Sequence, residues 1–196
     1  MNLIFALEEL KIDKSLEDEK LVALIIQSKS AELFSVIYDR YSEIVYHKCL
    51  SFVKNKEEAQ DLAHDIFVKL FVKLKMFNFK SKFSTWVYSF TYNHCVNYVQ
   101  REQKKRRDKF LIADDLGNYS KEVEEIDEEV IFSMKADKLQ KSLELINPTD
   151  KMILFMKYQD DLSIEDIQNA LGIGKSAVKM RLSRAKERLV KIYNDF

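Results

Sequence analysis

After Gly172 the chain carries Lys175, Lys179, Arg181, Arg184, Lys186, Arg188 and Lys191 against only Glu187 and Asp195. Cationic side chains repeated at nearly every turn of one helix suit the binding of anions such as phosphate. On the same helix Val178, Leu182, Ala185 and Leu189 recur at i, i+4, i+7 and i+11, which predicts a buried stripe. Advancing about 100° per residue puts Ser176, Met180, Ser183 and Glu187 on the opposite face, with Lys179 and Arg184 on its shoulders. Small polar side chains flanked by cations suit insertion into a DNA major groove, where the centre meets base edges and the flanks meet phosphates. A merely solvated amphipathic helix is the plainer alternative. The residues just upstream argue against it. Ser163 and Asp166 form a capping-box pattern, Ile164, Ile167 and Leu171 share one face, and Gly172 suits a left-handed helix end. Two helices joined by a tight glycine turn read as a helix-turn-helix.

The elements around this motif are helical as well. The 196 residues include three Gly and one Pro, too few for a hairpin-rich fold, and apolar residues recur at helical spacing throughout. The expected class is all-α. Lys plus Arg equals Asp plus Glu at 32 each, so only the distribution of charge is informative. A second basic cluster, Arg101, Lys104, Lys105, Arg106, Arg107 and Lys109, is followed by eight acids between Asp114 and Glu129. The acidic stretch, with Gly117, Asn118 and Ser120, reads as a linker between two anion-binding surfaces. This gives residues 1–109 and 137–196 as two small helical domains and 110–136 as an acidic linker. Cys49 and Cys95 are the only cysteines and form no C-x-x-C, so reduced thiols are expected. Pairing them with His47 and His94 would be needed for a zinc site, and nothing in the sequence forces that, so no metal or cofactor is expected. The longest aliphatic run, Leu21 to Ile26, is too short to span a bilayer, and "MNLIFALEEL" lacks a basic start. No membrane insertion and a cytoplasmic location are therefore expected.

In the first domain Ala59, Leu62, Ala63, Ile66, Phe67, Leu70, Phe71 and Leu74 form a two-column apolar stripe on one long helix. Asp61, His64 and Asp65 lie together away from that stripe. A loop then leads to a helix, starting near Thr85, whose Trp86, Phe90, Asn93, Asn97, Gln100 and Lys104 run along one face. That face changes from aromatic to polar to basic, a track suited to bases and then phosphates. Trp86 and Phe90 are also natural core residues.

The segments "AQDLAHDIFVKLF" and "KFSTWVYSFTYNHCVNYVQREQKKRR" resemble region 2 of bacterial sigma factors. "INPTDKMILFMKYQDDLSIEDIQNALGIGKSAVKMRLSRAKERL" is similar to region 4. With only a linker between them, the chain resembles the extracytoplasmic-function (ECF) group, over roughly residues 18–109 and 139–192. The resemblance implies a region 2-like domain and a region 4-like helix-turn-helix domain without catalytic residues. It implies a transcription initiation factor that binds core RNA polymerase (β′ and β subunits) and promoter DNA, recognises the −35 and −10 elements and helps to melt the DNA. An anti-sigma factor is a further partner that it admits. The implied polymerase contacts are Asp61, Leu62, His64, Asp65 and Phe67. The implied −10 residues are Phe77, Phe83, Trp86, Asn93, Asn97, Arg101 and Lys104, with Phe77 and Asn93 lining a pocket for a flipped base. The implied −35 residues are Ser176, Lys179, Met180, Ser183 and Arg184. The sequence departs from the family pattern at His64, usually Gln, at Asn97, commonly Asp, and at Met180, where many relatives have a small polar residue. Met180 can pack on a thymine methyl but cannot hydrogen-bond a base edge.

The nearest alternative is a helix-turn-helix regulator that binds duplex DNA independently of polymerase. It would leave the aromatic loop of the first domain without a role. An enzyme built on Asp61, His64 and Asp65 has no second carboxylate motif or phosphate loop behind it, and a helical adaptor gives no reason for two basic clusters.

Overall fold

The computed structural model describes residues 15–109 and 126–196, the side chains of 106–109 excepted. Among the described residues it is all helix and no strand. The first four helices are α1 (Asp18–Ser28), α2 (Ala31–Phe52), α3 (Lys56–Lys73) and α4 (Phe83–Lys109), with a 3₁₀ turn at Leu74–Met76. The second group is α5 (Glu128–Phe132), α6 (Ala136–Leu145), α7 (Pro148–Leu154), a π-helical turn at Phe155–Gln159, α8 (Ile164–Leu171) and α9 (Lys175–Asn194).

The helix boundaries follow local chemistry. Ser30 caps α2 by accepting from the Leu33 N–H, and Asn55 caps α3 by accepting from the Glu57 N–H. Pro148 occupies the first turn of α7, where its missing N–H costs nothing, behind Asn147 as cap. The start of α4 is set from outside. Glu19 of α1 accepts from the Phe83 N–H at 2.8 Å, so the helix begins two residues before the Thr85 expected from the sequence. An acid at a helix N-terminus also favours the dipole there.

The first core packs Ile37, Tyr41 and Val45 of α2 against Leu62, Ile66 and Leu70 of α3 and Phe83 and Val87 of α4. The second gathers Met152, Ile153, Met156, Ile167, Val178, Leu182 and Leu189. Tyr92 and Val96 of α4 belong to this second core, so α4 is the seam along which the two units meet. The linker assigned to 110–136 lies outside the described residues over 110–125. Its described remainder is built into the second unit: Asp127 caps α5, Ile131 is buried in the second core, and the Lys186 ammonium donates to the Ile126 carbonyl.

Cys49 and Cys95 do meet, in the first core, where the Cys95 thiol donates to the Cys49 sulfur at 3.8 Å. That bond and burial push the Cys95 thiol well above its usual range. With both sulfurs buried, both thiols are expected to resist a thiol reagent at about pH 8 until the chain is unfolded. Rapid labelling of the folded protein would contradict this packing.

Candidate nucleic-acid interface

The helix-turn-helix forms as its residues dictate. The Ser163 hydroxyl accepts from the Asp166 N–H at 3.0 Å while the Asp166 carboxylate accepts from the Ser163 N–H at 3.1 Å. Gly172 ends α8 at φ 64°, in the left-handed region where a side chain would be strained. Val178, Leu182, Ala185 and Leu189 are buried, as their spacing predicts. Opposite them Ser176, Lys179 and Arg181 are exposed, Met180 is 51% exposed, and Ser183 and Arg184 are half-buried. Two of the seven bases of α9 are committed elsewhere. The buried Lys186 holds the Ile126 carbonyl, and Arg188 pairs with Asp150 at 2.8 Å. Burial raises the Asp150 carboxyl above its usual range, opposed by the Arg188 charge and an Asn147 hydrogen bond. The cations close to the turn, Lys175, Lys179 and Arg181, face outward, as does Lys191 in the last turn.

On α4, Asn93, Asn97, Gln100, Arg101 and Lys104 are exposed, while Trp86 and Phe90 are half-buried and pack on each other at 5.4 Å. The face does run from aromatic to polar to basic. Phe77 and Phe83 stand differently from their implied role. Phe77 is 3% exposed, and Phe83 is fully buried with its ring 5.3 Å from that of Phe77. Both are core residues in this conformation, because the 3₁₀ turn at Leu74–Met76 directs Phe77 inward.

The residue that faces outward is Phe79, which the sequence reading passed over. It is 49% exposed, lies 4.7 Å from the Phe77 ring, and takes φ 58°. A non-glycine residue in that region costs on the order of 1–2 kcal/mol, and such strain gathers at functional positions. The one local signal is Asn78, whose side chain accepts from the Lys80 N–H at 3.1 Å and closes the turn.

On α3, Asp61, His64 and Asp65 are exposed side by side. Leu62 and Phe67 are buried in the first core, Phe67 against Tyr38 at 4.6 Å, where they hold the helix in place. Val68 and Val72 extend the exposed face, Val72 at 66% exposure. Their spacing from Asp61, i+7 and i+11, marks them as one ridge, which apolar residue type alone concealed.

Among the described residues no cluster of three or more His, Cys, Asp or Glu could hold a metal, and no helix is long and apolar enough to cross a membrane.

Residues 37–105 match the family described as Sigma-70 region 2, and residues 136–189 the family described as Sigma-70, region 4. The chain is 28% identical over 178 residues to the ECF RNA polymerase sigma factor SigW of Bacillus subtilis, covering 87% of this chain and 94% of that one. It is 22% identical to the ECF RNA polymerase sigma-E factor of Haemophilus influenzae, covering 89% and 94%. Its fold is similar to that of CnrH in complex with the cytosolic domain of CnrY, at TM-score 0.60, 16% identity and coverage of 91% and 97%. The sigma factor RpoE of Bartonella quintana, solved with the anti-sigma factor NepR, matches at TM-score 0.54, 19% identity and coverage of 82% and 96%. With both regions present in order on the helices that carry the exposed faces, the chain belongs to the sigma-70 family, as an ECF RNA polymerase sigma factor.

Proposed function

We propose that this transcription initiation factor binds core RNA polymerase through the outer ridge of α3, reads the −35 element with α9, and opens the −10 element with α4 and the loop before it. The observation that carries the reading is the division of each helix into a buried stripe and a separate exposed one of suitable chemistry. On α3 the exposed stripe is Asp61, His64, Asp65, Val68 and Val72, acidic and apolar, as fits a protein partner. On α9 it is Ser176, Lys179 and Met180, flanked by Ser183 and Arg184, as fits a major groove. On α4 it is Asn93 and Asn97, with the half-buried Trp86 and Phe90 before them and Arg101 and Lys104 following, as fits unpaired bases and then phosphates. Phe79 takes the stacking role first assigned to Phe77, because its ring is outside the core. A polymerase-independent regulator would leave the α3 ridge and the aromatic loop unused. Action together with RNA polymerase fits a cytoplasmic location. The anti-sigma factor NepR, bound to RpoE in one of the similar solved structures, supports an anti-sigma factor as a further partner.

The −35 assignment is tested in the holoenzyme by salt titration. Lys179→Ala and Arg184→Ala are each expected to weaken binding to the −35 duplex and to flatten log K against log [salt] by about one phosphate contact. Full −35 protection in both variants would remove α9 from the interface.

A further inference from the structure

Between α4 and the helix-turn-helix lies a cleft of about 620 Å³, within the ~300–1,000 Å³ range of small-molecule sites. One wall is Trp86, Phe90 and Asn93 of α4, and the other is Gln168 and Asn169 of α8. Lys80, from the loop before α4, stands at the same cleft. The Ser89 hydroxyl donates to the Ala170 carbonyl at 2.9 Å and joins the two walls. Aromatic rings, carboxamides and one ammonium therefore converge on one space, and Lys80 is the only charged group among the described residues that line it.

The groups on the α4 side are held in place before any ligand arrives. Trp86 is backed by Phe77 and Phe83, with ring centres 5.7 Å and 5.8 Å away, and meets Phe90 at 5.4 Å. The Asn93 carboxamide nitrogen donates to the Ser89 hydroxyl at 3.5 Å, a weak bond that leaves its oxygen as an acceptor. Asn78 closes the turn that carries Lys80 by accepting from the Lys80 N–H at 3.1 Å. The chemistry of this lining selects among ligands. Indole and phenyl rings stack on the face of a nucleobase, and carboxamides offer donors and acceptors to its edge. An ammonium pairs with a phosphate as a point charge. A purely apolar ligand would leave the carboxamides and the ammonium unpaired, which is costly once water is displaced. An inorganic anion would leave the aromatic wall unused.

We propose that this cleft is a binding site for a free purine nucleoside monophosphate. The base stacks on the Trp86–Phe90 wall, its edge bonds to Asn93, Gln168 and Asn169, and its phosphate pairs with Lys80. A purine is favoured over a pyrimidine because its larger face stacks more strongly. The α8 wall separates this ligand from an unpaired promoter base: a captured strand needs only the α4 face, whereas the free nucleotide needs both walls. Trp86 cannot stack on both at once, so an occupied cleft and a captured strand exclude each other. That consequence alone rests on the −10 assignment made above.

The test uses the full chain, whose only tryptophan is Trp86, so its emission reports directly on the cleft. Adenosine 5′-monophosphate and guanosine 5′-monophosphate are titrated separately, with calorimetry alongside the fluorescence. At least one is expected to quench the emission with a Kd of about 0.1–1 mM. Ribose 5-phosphate and inorganic phosphate, which cannot stack, are expected to bind at least tenfold more weakly. Gln168→Ala with Asn169→Ala is expected to weaken the mononucleotide about tenfold and to leave the affinity for a single-stranded deoxyoligonucleotide unchanged. Lys80→Ala is expected to weaken the mononucleotide several-fold and to leave the uncharged nucleoside unaffected. Lys80 and Asn169 are exposed and Gln168 is half-buried, so both variants should keep the helicity of the parent by circular dichroism. If the α8 variant loses helicity, Lys80→Ala decides the matter. No quenching by either mononucleotide up to about 10 mM would overturn the proposal. So would equal affinity for inorganic phosphate, or parental mononucleotide affinity in a folded α8 variant, which would leave the aromatic wall to DNA alone. With neither promoter nor polymerase present, a failure here leaves the promoter assignments standing, and their failure leaves this site standing.

Discussion

Asp61→Ala and Asp65→Ala combined with Val72→Asp are expected to lower the affinity for core RNA polymerase about a hundredfold, or ~3 kcal/mol. Helicity and melting temperature should stay close to those of the parent. All three side chains are exposed, and surface substitutions away from caps and buried partners usually change stability by about 0.5 kcal/mol or less. At a protein interface the same changes remove two charges and place a third in an apolar contact, where an unpaired buried charge is costly. Leu62→Ala and Phe67→Ala should behave in the opposite way. Both residues are in the first core, and truncation there costs roughly 2–5 kcal/mol of stability. Loss of polymerase binding in those two variants would follow loss of fold. A pull-down with core polymerase and a thermal melt, made on both sets, separate the two cases. Full polymerase affinity in the triple variant would remove the α3 ridge from the interface.

Phe79→Ala with Trp86→Ala is expected to reduce promoter opening about tenfold or more, since base–aromatic stacking contributes roughly 1–3 kcal/mol per base. The readout is permanganate reactivity of unpaired thymines near the start site in the holoenzyme. Initial duplex binding, set by α9, should change little, and a pre-melted template should restore much of the activity. Phe77→Ala is the control for a core residue, expected to lower the melting temperature first. Phe79→Gly sharpens the distinction. Glycine relieves the left-handed strain at φ 58° but loosens the unfolded chain, so stability should remain near that of the parent while opening falls. If Phe79→Gly opens the promoter as well as the parent does, the ring has no part in strand capture.

Much of this arrangement is legible in the sequence wherever local chemistry decides it. The capping box at Ser163 and Asp166, the turn at Gly172 and the buried stripe from Val178 to Leu189 depend on residues within a few positions of each other. So does the apolar stripe of α3. The features that the sequence concealed depend on distant partners. Lys186 and Arg188 look like two more phosphate contacts until the fold brings Ile126 and Asp150 beside them. The acids around Asp127 read as linker composition, yet Asp127 is a helix cap and Ile131 a core residue. Val68 and Val72 resemble core by type and are exposed by phase. The exchange of Phe77 for Phe79 turns on one backbone dihedral, which residue type does not specify. The meeting of Lys48 with Asp160, 112 residues apart, could not be read from either neighbourhood.

The central claim is that the chain selects promoters by acting with core RNA polymerase, and reconstituted transcription on genomic DNA, followed by sequencing of transcript 5′ ends, tests it most directly. The expected result is a set of start sites that appears only when the chain and core polymerase are both present. Those sites should share sequence elements near −10 and −35, and they should be lost when Lys179, Arg184 and Phe79 are replaced by alanine. Transcript ends identical to those of core polymerase alone, with the chain bound tightly to duplex DNA in the absence of polymerase, would contradict the account.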